Sequence, residues 1–128
     1  MKRITTLLMA TALLLTVGVP TVLAKGEGTR IVLKSARVFP AAKGSAKFKA
    51  TAEERELHVE VEHVRRLAGK RVVFIVGGKQ IATKKVNRFG AAEINRNSQR
   101  GQFVPAVGAG TSVKVKTAGG ALVVKGSF

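Results

Sequence analysis

The sequence predicts an all-β fold: a single antiparallel β-sandwich of about eight short strands that follows an N-terminal signal peptide helix. Three observations lead to this class. From Gly28 onward apolar and polar residues alternate with a period of two, turn residues recur at intervals of about 8–12 residues, and no segment has a convincing helical stripe. A period of two places successive side chains on opposite faces, as in sheets with one buried and one solvated face.

Residues 1–24 have the three zones of a cleavable secretory signal peptide. Lys2 and Arg3 form the positive region, an uncharged apolar stretch follows, and Val22-Leu23-Ala24 supplies the −3 and −1 residues of a cleavage site. An uncleaved anchor is the alternative, because 21 uncharged residues can just span a bilayer. We expect a secreted or periplasmic protein with one domain, residues 25–128, which disfavours cytoplasmic nucleic acid as a partner.

The strand pattern is clearest in three segments, 46–50, 57–62 and 112–116, each with one apolar and one wet face. The segment 72–76 is apolar on both faces and rich in β-branched residues, which predicts a strand in the middle of a sheet. Gly77-Gly78 follows directly and predicts a tight two-residue hairpin with positive φ at both glycines.

One strand register can be predicted. Residues 45–50 and 56–64 are expected to form a hairpin in which paired residue numbers sum to 107. Opposite charges would then meet on the outer face. The pairs are Ala46 with Val61, Phe48 with Val59, Lys47 with Glu60, and Lys49 with His58. Pro105 would interrupt a ladder, so residues 103–107 are expected to form an edge strand or an extended loop.

The composition is strongly basic. Cleavage after Ala24 would lower the net charge from +16 to +14 on 104 residues by removing Lys2 and Arg3. Five of the seven acids, all Glu, lie between Glu53 and Glu62, which leaves the rest of the chain almost purely cationic. The chain lacks Cys, Asp, Trp and Tyr, which removes disulfides, the usual calcium-loop ligands and most aromatic stacking.

Groups that could support catalysis or bind a metal are few. No serine stands in a nucleophile elbow or a recognisable Ser–His–acid arrangement, so we expect no enzyme activity, no catalytic residue and no cofactor. Residues 58–63 gather metal-type ligands, but a strand places His58, Glu60 and Glu62 in a flat row and His63 on the other face. Side chains about 6.6 Å apart do not converge on one ion, so no metal site is expected.

Turn glycines and apolar core positions recur through the second half of the chain. The elements are Leu67-x-Gly69, Val72 to Gly78, Val86-x-x-Phe89-Gly90-x-Ala92, Gly101-x-x-Val104-Pro105-x-Val107-x-x-Gly110 and a final Gly-x-Leu-Val…Gly-x-Phe. The pattern resembles small secreted bacterial β-sandwich domains of the immunoglobulin-like or superoxide-dismutase-like Greek-key type. The resemblance implies an architecture and no assigned activity, because fold likeness does not carry function. The metal-binding histidine set of copper-zinc superoxide dismutases is absent, since only His58 and His63 exist.

Basic residues are the remaining functional signal. A net charge of +14 exceeds the magnitude of about 2–8 that keeps a small domain soluble, so we predict a cationic surface that binds an anionic polymer or an anionic membrane surface. The predicted residues are Arg65, Arg66, Lys70, Arg71, Lys79, Lys84, Lys85 and Arg88. The alternative is a structural or assembly module that docks another protein through a sheet edge or residues 103–107, with the charge serving solubility. These patterns predict no oligomeric state.

Overall fold

The computed structural model describes residues 28–128, so the predicted signal peptide lies outside the described residues. Eight antiparallel strands form the framework of that region, and its only helical segments are two 3-10 turns, Arg65–Leu67 and Ser98–Arg100. The strands are β1 (Thr29–Ser35), β2 (Lys43–Ala50), β3 (Arg55–Glu62), β4 (Arg71–Val76), β5 (Lys79–Lys85), β6 (Ala92–Asn97), β7 (Ser112–Thr117) and β8 (Leu122–Ser127).

Backbone hydrogen bonds join all eight strands into one series, in the order β5-β4-β7-β8-β1-β2-β3-β6. β1 connects the two halves, because residues 29–33 pair with β2 whereas Lys34 and Ser35 pair with β8. The outermost strands β5 and β6 approach each other, and the sheet curls into a nearly closed barrel. Within the described region no ladder joins these two strands; Arg96 instead donates a hydrogen bond of 2.6 Å to the carbonyl oxygen of Ile81.

The all-β antiparallel class and the eight strands are confirmed, whereas the more specific two-layer sandwich is not. The segment 72–76 lies between β5 and β7 as predicted for an interior strand. Gly77 and Gly78 form the predicted tight turn, with φ of 62° and 80°. Residues 103–107 form a loop that buries Val104, so the loop alternative is the correct one.

The predicted hairpin of β2 and β3 is present, but the predicted register was wrong by two residues. Ala46 faces Val59 and Lys47 faces His58, so that paired numbers sum to 105. The turn decides the register: Thr51 accepts a hydrogen bond from the N–H of Glu54 on its hydroxyl, at 3.2 Å, and donates its own N–H to the Glu54 carbonyl at 2.8 Å. This closes the loop at residues 51–54 and leaves no room for the longer loop of the predicted pairing.

The core fills the interior of the barrel with the inward residues of every strand. Phe74 is fully buried at its centre, and valines and leucines of β1, β3, β4, β7 and β8 surround it. Each such side chain contributes about 1.5–3 kcal/mol by leaving water. The described domain is therefore stabilised by this core and by its strand hydrogen bonds, without disulfides.

The loops divide between the two ends of the barrel. Because neighbouring strands are antiparallel, β1, β3, β5 and β7 end where β2, β4, β6 and β8 begin. This basic end consists of residues 36–42, 63–70, 86–91 and 118–121, together with the strand ends they join. Residues 51–54, 77–78 and 98–111 lie at the opposite end.

Candidate polyanion-binding surface

Seven of the eight basic residues predicted from the sequence lie together at the basic end. They come from the loop between β3 and β4, the loop between β5 and β6, and the paired ends of β4 and β5. All seven are exposed: Arg65, Arg66, Lys70, Arg71, Lys84, Lys85 and Arg88. The fold therefore gathers residues from separate parts of the chain at one end of the barrel, and we call these seven the basic cluster.

Lys79 is the exception. It begins β5 beside the Gly77-Gly78 turn, about 20 Å along that strand from Lys85. There its ammonium lies 4.9 Å from the centre of the Phe103 ring. Because β5 runs from one end of the barrel to the other, its first residue, Lys79, lies far from the other seven.

Gly90 brings two of the basic loops into contact. Its carbonyl accepts a hydrogen bond of 3.0 Å from the N–H of Val64, and its φ is 83°. A Cβ at this position would lie only 2.6 Å from the backbone nitrogen of Arg65. Glycine is thus required here both for its conformation and for its missing side chain, and the result is that Arg65 and Arg88 lie in adjacent loops.

Aromatic rings hold two of the guanidinium groups. The Arg66 guanidinium carbon lies 4.4 Å from the centre of the buried Phe39 ring, and the same group donates a hydrogen bond to the Val38 carbonyl. The Arg88 guanidinium carbon lies 4.9 Å from the centre of the Phe89 ring. Each arginine keeps further N–H donors for a ligand. A guanidinium held in place by an aromatic ring can donate two parallel hydrogen bonds to the oxygens of a phosphate or carboxylate.

The acids are confined to one half of the sheet, although each half contains seven Lys and Arg residues in its strands. β4, β5, β7 and β8 contain seven Lys and Arg residues and no acid. All six acids of the described region lie in β3, the β2–β3 loop and β6: Glu53, Glu54, Glu56, Glu60, Glu62 and Glu93. Every charged side chain of this cationic half is therefore positive, whereas the surface of an ordinary soluble domain mixes both signs.

Three lysines form a row across the outer face of this half, and sequence reasoning did not find their arrangement. Lys34 of β1 pairs with Lys125 of β8, which pairs in turn with Lys114 of β7. Neighbouring strands lie about 4.8 Å apart, so like charges are held side by side. None of the three forms an ion pair within residues 28–128. The alternation of apolar and polar residues in 112–116 showed which lysines face outward. No sequence pattern near β1 or β8 indicates that these two strands pair.

The acid-bearing half (β1, β2, β3 and β6) contains a cluster that joins β3 to β6. His58 Nε2 lies 3.1 Å from Glu60 Oε1 and 3.7 Å from Glu93 Oε1, and the three candidate ligand atoms lie within 4.8 Å of one another. The expectation of a flat, non-converging row is therefore wrong for His58 and Glu60, whose side chains lean together. Glu93 was missed because the sequence does not reveal that β6 pairs with β3. These are the residues of the described region best placed to hold a metal; His63 faces Glu62 instead.

Glu60 and Glu62 have opposite pKa shifts because they share a hydrogen bond. The bond from Glu62, followed by the one from His58, lowers the pKa of Glu60. The same bond, together with the nearby charge of Glu60, raises the pKa of Glu62. Glu60 is therefore the ionised partner and Glu62 the group that retains a proton longest as the pH rises.

An open groove of about 380 Å³ marks the border between the two charge regions. Glu60, Glu62 and Glu93 line one side, and Lys84 and Lys85 line the other. Their opposite charges partly offset each other across the groove. The basic character of the end is therefore strongest on the far side of Lys85, around the arginines of the two adjacent loops.

No helix within residues 28–128 is long and apolar enough to cross a bilayer. Comparison of the chain with protein-family models, with curated proteins and with solved structures finds no match. The likeness to small secreted β-sandwich domains therefore remains a prediction from the sequence.

Proposed function

We propose that this chain is a secreted or periplasmic, non-enzymatic binding module whose cationic surface engages an anionic polymer of the cell envelope or the extracellular space. The segregation of charge is the observation that supports this proposal most strongly. A half-sheet without acids, carrying an unpaired lysine row, has a like-charge repulsion that a dispersed arrangement would avoid. Binding a polyanion would relieve that repulsion and release counterions.

The architectural resemblance belongs to the same proposal. β1 divides its pairing between β2 and β8, which is how a strand passes from one layer of a sandwich to the other. β2, β3 and β6 would form one layer and β4, β5, β7 and β8 the second. In this arrangement the second layer is the cationic one.

The test is retention on a heparin column and binding to a short DNA duplex, used as a polyanion of known charge spacing, over a range of salt concentrations. We expect binding that weakens steeply with salt. The triple variant Lys34→Gln, Lys114→Gln, Lys125→Gln should reduce the slope of log K against log salt by about 0.9 for each lysine that contacts phosphate.

The matched control removes the same charge from the acid-bearing half. Lys43→Gln, Lys47→Gln, Lys49→Gln neutralises three lysines of β2, whose cross-strand neighbours on β3 are Glu62, His58 and Glu56. A smaller loss of retention is expected for this control. Equal losses would show that only net charge matters, and no retention at low salt would refute the proposal in favour of a protein-docking module.

A further inference from the structure

Two apolar side chains project from the basic end into solvent. Val38 is 58% exposed and Phe89 is 63% exposed, and they are two of only four large hydrophobic residues exposed in the described region. Val38 lies in the β1–β2 loop and Phe89 in the β5–β6 loop. The Phe89 ring contacts the Arg88 guanidinium on one side, and most of its surface remains open to solvent.

These two loops and the β3–β4 turn between them form one continuous surface. The Arg66 side chain donates to the Val38 carbonyl, and the next residue back, Arg65, lies against Gly90, the neighbour of Phe89. The apolar tips therefore stand on either side of the Arg65-Arg66 turn.

Cations surround the tips without any acid among the loops. Residues 36–42, 63–70, 86–91 and 118–121 contain five Lys and Arg residues and no Glu. The five are Arg37, Arg65, Arg66, Lys70 and Arg88. An apolar tip with an arginine beside it matches the boundary of an anionic bilayer, where apolar groups enter the acyl region and guanidinium groups remain at the lipid phosphates.

We infer that the basic end docks on an anionic lipid bilayer, with Phe89 and Val38 inserted at the level of the headgroup–acyl boundary and the surrounding arginines on the phosphates. This rests on the proposed function, a cationic module with an anionic partner, but it places the contact at the loops of the basic end and names a bilayer in place of a polymer. A dissolved polymer would use the charges alone, whereas a bilayer also uses the apolar tips.

The absence of Trp and Tyr gives a clean reporter for this orientation. Phe89→Trp places a single indole at the proposed insertion point. Phe103→Trp places one at the opposite end, where Phe103 is 50% exposed and also stacks with a cation. Both variants of the exported protein are mixed with vesicles of equal parts phosphatidylglycerol and phosphatidylcholine, and with vesicles of phosphatidylcholine alone.

We expect the indole emission of the Phe89→Trp variant to shift to the blue on anionic vesicles only, and that of the Phe103→Trp variant to stay unchanged. In sedimentation with the anionic vesicles, Phe89→Ser with Val38→Ser should weaken binding about tenfold. Val38→Ser alone, which leaves the contact between Arg88 and Phe89 in place, should also weaken vesicle binding and leave heparin retention unchanged. Circular dichroism checks that each variant is folded.

Equal shifts of both indoles, or equal binding to neutral vesicles, would overturn the inference. Heparin retention without an emission shift of the Phe89→Trp variant would also overturn it but would leave the proposed function intact with a polymer as the partner. Failure of both vesicle binding and heparin retention would refute the two together.

Discussion

Gly69 and Gly90, both in loops of the basic end, have nearly the same backbone conformation in different surroundings. Their φ angles are 81° and 83°, but a Cβ on Gly69 would meet nothing within 4 Å, whereas one on Gly90 would meet the Arg65 backbone. The two positions therefore separate the cost of a left-handed conformation from the cost of a close approach.

We predict that Gly69→Ala lowers the free energy of unfolding by about 1–2 kcal/mol, the cost of positive φ alone. Gly90→Ala should lower it by at least about 1 kcal/mol more, because the Arg65 backbone must move. Urea unfolding of the two variants measures this difference. Equal losses would mean that the contact between the loops is not tight.

The glutamate pair gives stability a particular dependence on pH. The contribution of Glu60, whose pKa is lowered, is present above its ordinary value of 4.5 and is lost as the pH falls through its folded value. Glu62 has the opposite sign, so its contribution is present below 4.5 and is lost as the pH rises through its raised folded value. Once the pH exceeds the raised pKa of Glu62, both groups are ionised and repel each other.

Glu62→Gln should therefore stabilise the protein at neutral pH, by up to about 0.5 kcal/mol, since the amide can still donate to Glu60 without adding a charge. Unfolding in urea at pH values near 5 and near 7 should also show a smaller difference between the two for the variant than for the parent. Glu53→Gln, in the β2–β3 turn, removes the same charge as a control. A loss of stability at neutral pH larger than that of this control would contradict the shared hydrogen bond.

For individual residues, the sequence predicted which face of the sheet a side chain occupies, but not which side chains it contacts there. The period of two correctly assigned His58, Glu60 and Glu62 to one outer face. Which side chains meet there depends on β6, more than 30 residues away, and on side-chain torsions that no pattern encodes. The Glu93 contact therefore required the structure.

At the scale of strands, the lysine row has a measurable cost. Lys125 lies opposite both Lys34 and Lys114, and each like-charge pair is expected to cost about 0.2–1 kcal/mol. Lys125→Gln should therefore raise the melting temperature at low ionic strength, and the gain should shrink as salt screens the parent.

Lys49→Gln is the control for this prediction. Lys49 lies 3.6 Å from Glu56, so its neutralisation removes an attraction and should give no comparable gain. Calorimetry of both variants at low and high salt makes the comparison. A salt-independent gain for Lys125→Gln would indicate a packing effect in place of repulsion.

The register of the β2–β3 hairpin shows how far strand patterns can be read. The predicted and observed pairings differ by two residues, and an even shift keeps every side chain on its own face. Both registers also pair opposite charges across the strands. Only the turn at Thr51 distinguishes the two registers. It is closed by two hydrogen bonds between Thr51 and Glu54, and the alternation of apolar and polar residues does not predict these bonds.

At the scale of the molecule, local patterns predicted the class, the strands and most of the basic cluster. Strand order was out of reach, because three of the seven neighbouring pairs, β3–β6, β4–β7 and β8–β1, join strands that are not consecutive in the chain. The charge segregation depends on that order. The concentration of acids in residues 53–62 indicated that the acids would be confined to one region. The strand order then places the acid-free strands side by side.

The seam between β5 and β6 has a consequence for how copies of the molecule behave toward each other. β5 presents a free edge there, bridged by the Arg96 side chain instead of a full ladder. Lys84 and Lys85 stand on this edge, and lysines in such positions keep foreign strands from adding to a sheet. Replacing both lysines with neutral residues would remove two cations from the basic end. It would also leave the β5 edge open to pairing with a strand of another molecule. Under the proposed function, the same side chains would both attract an anionic partner and keep copies of the protein from associating with each other.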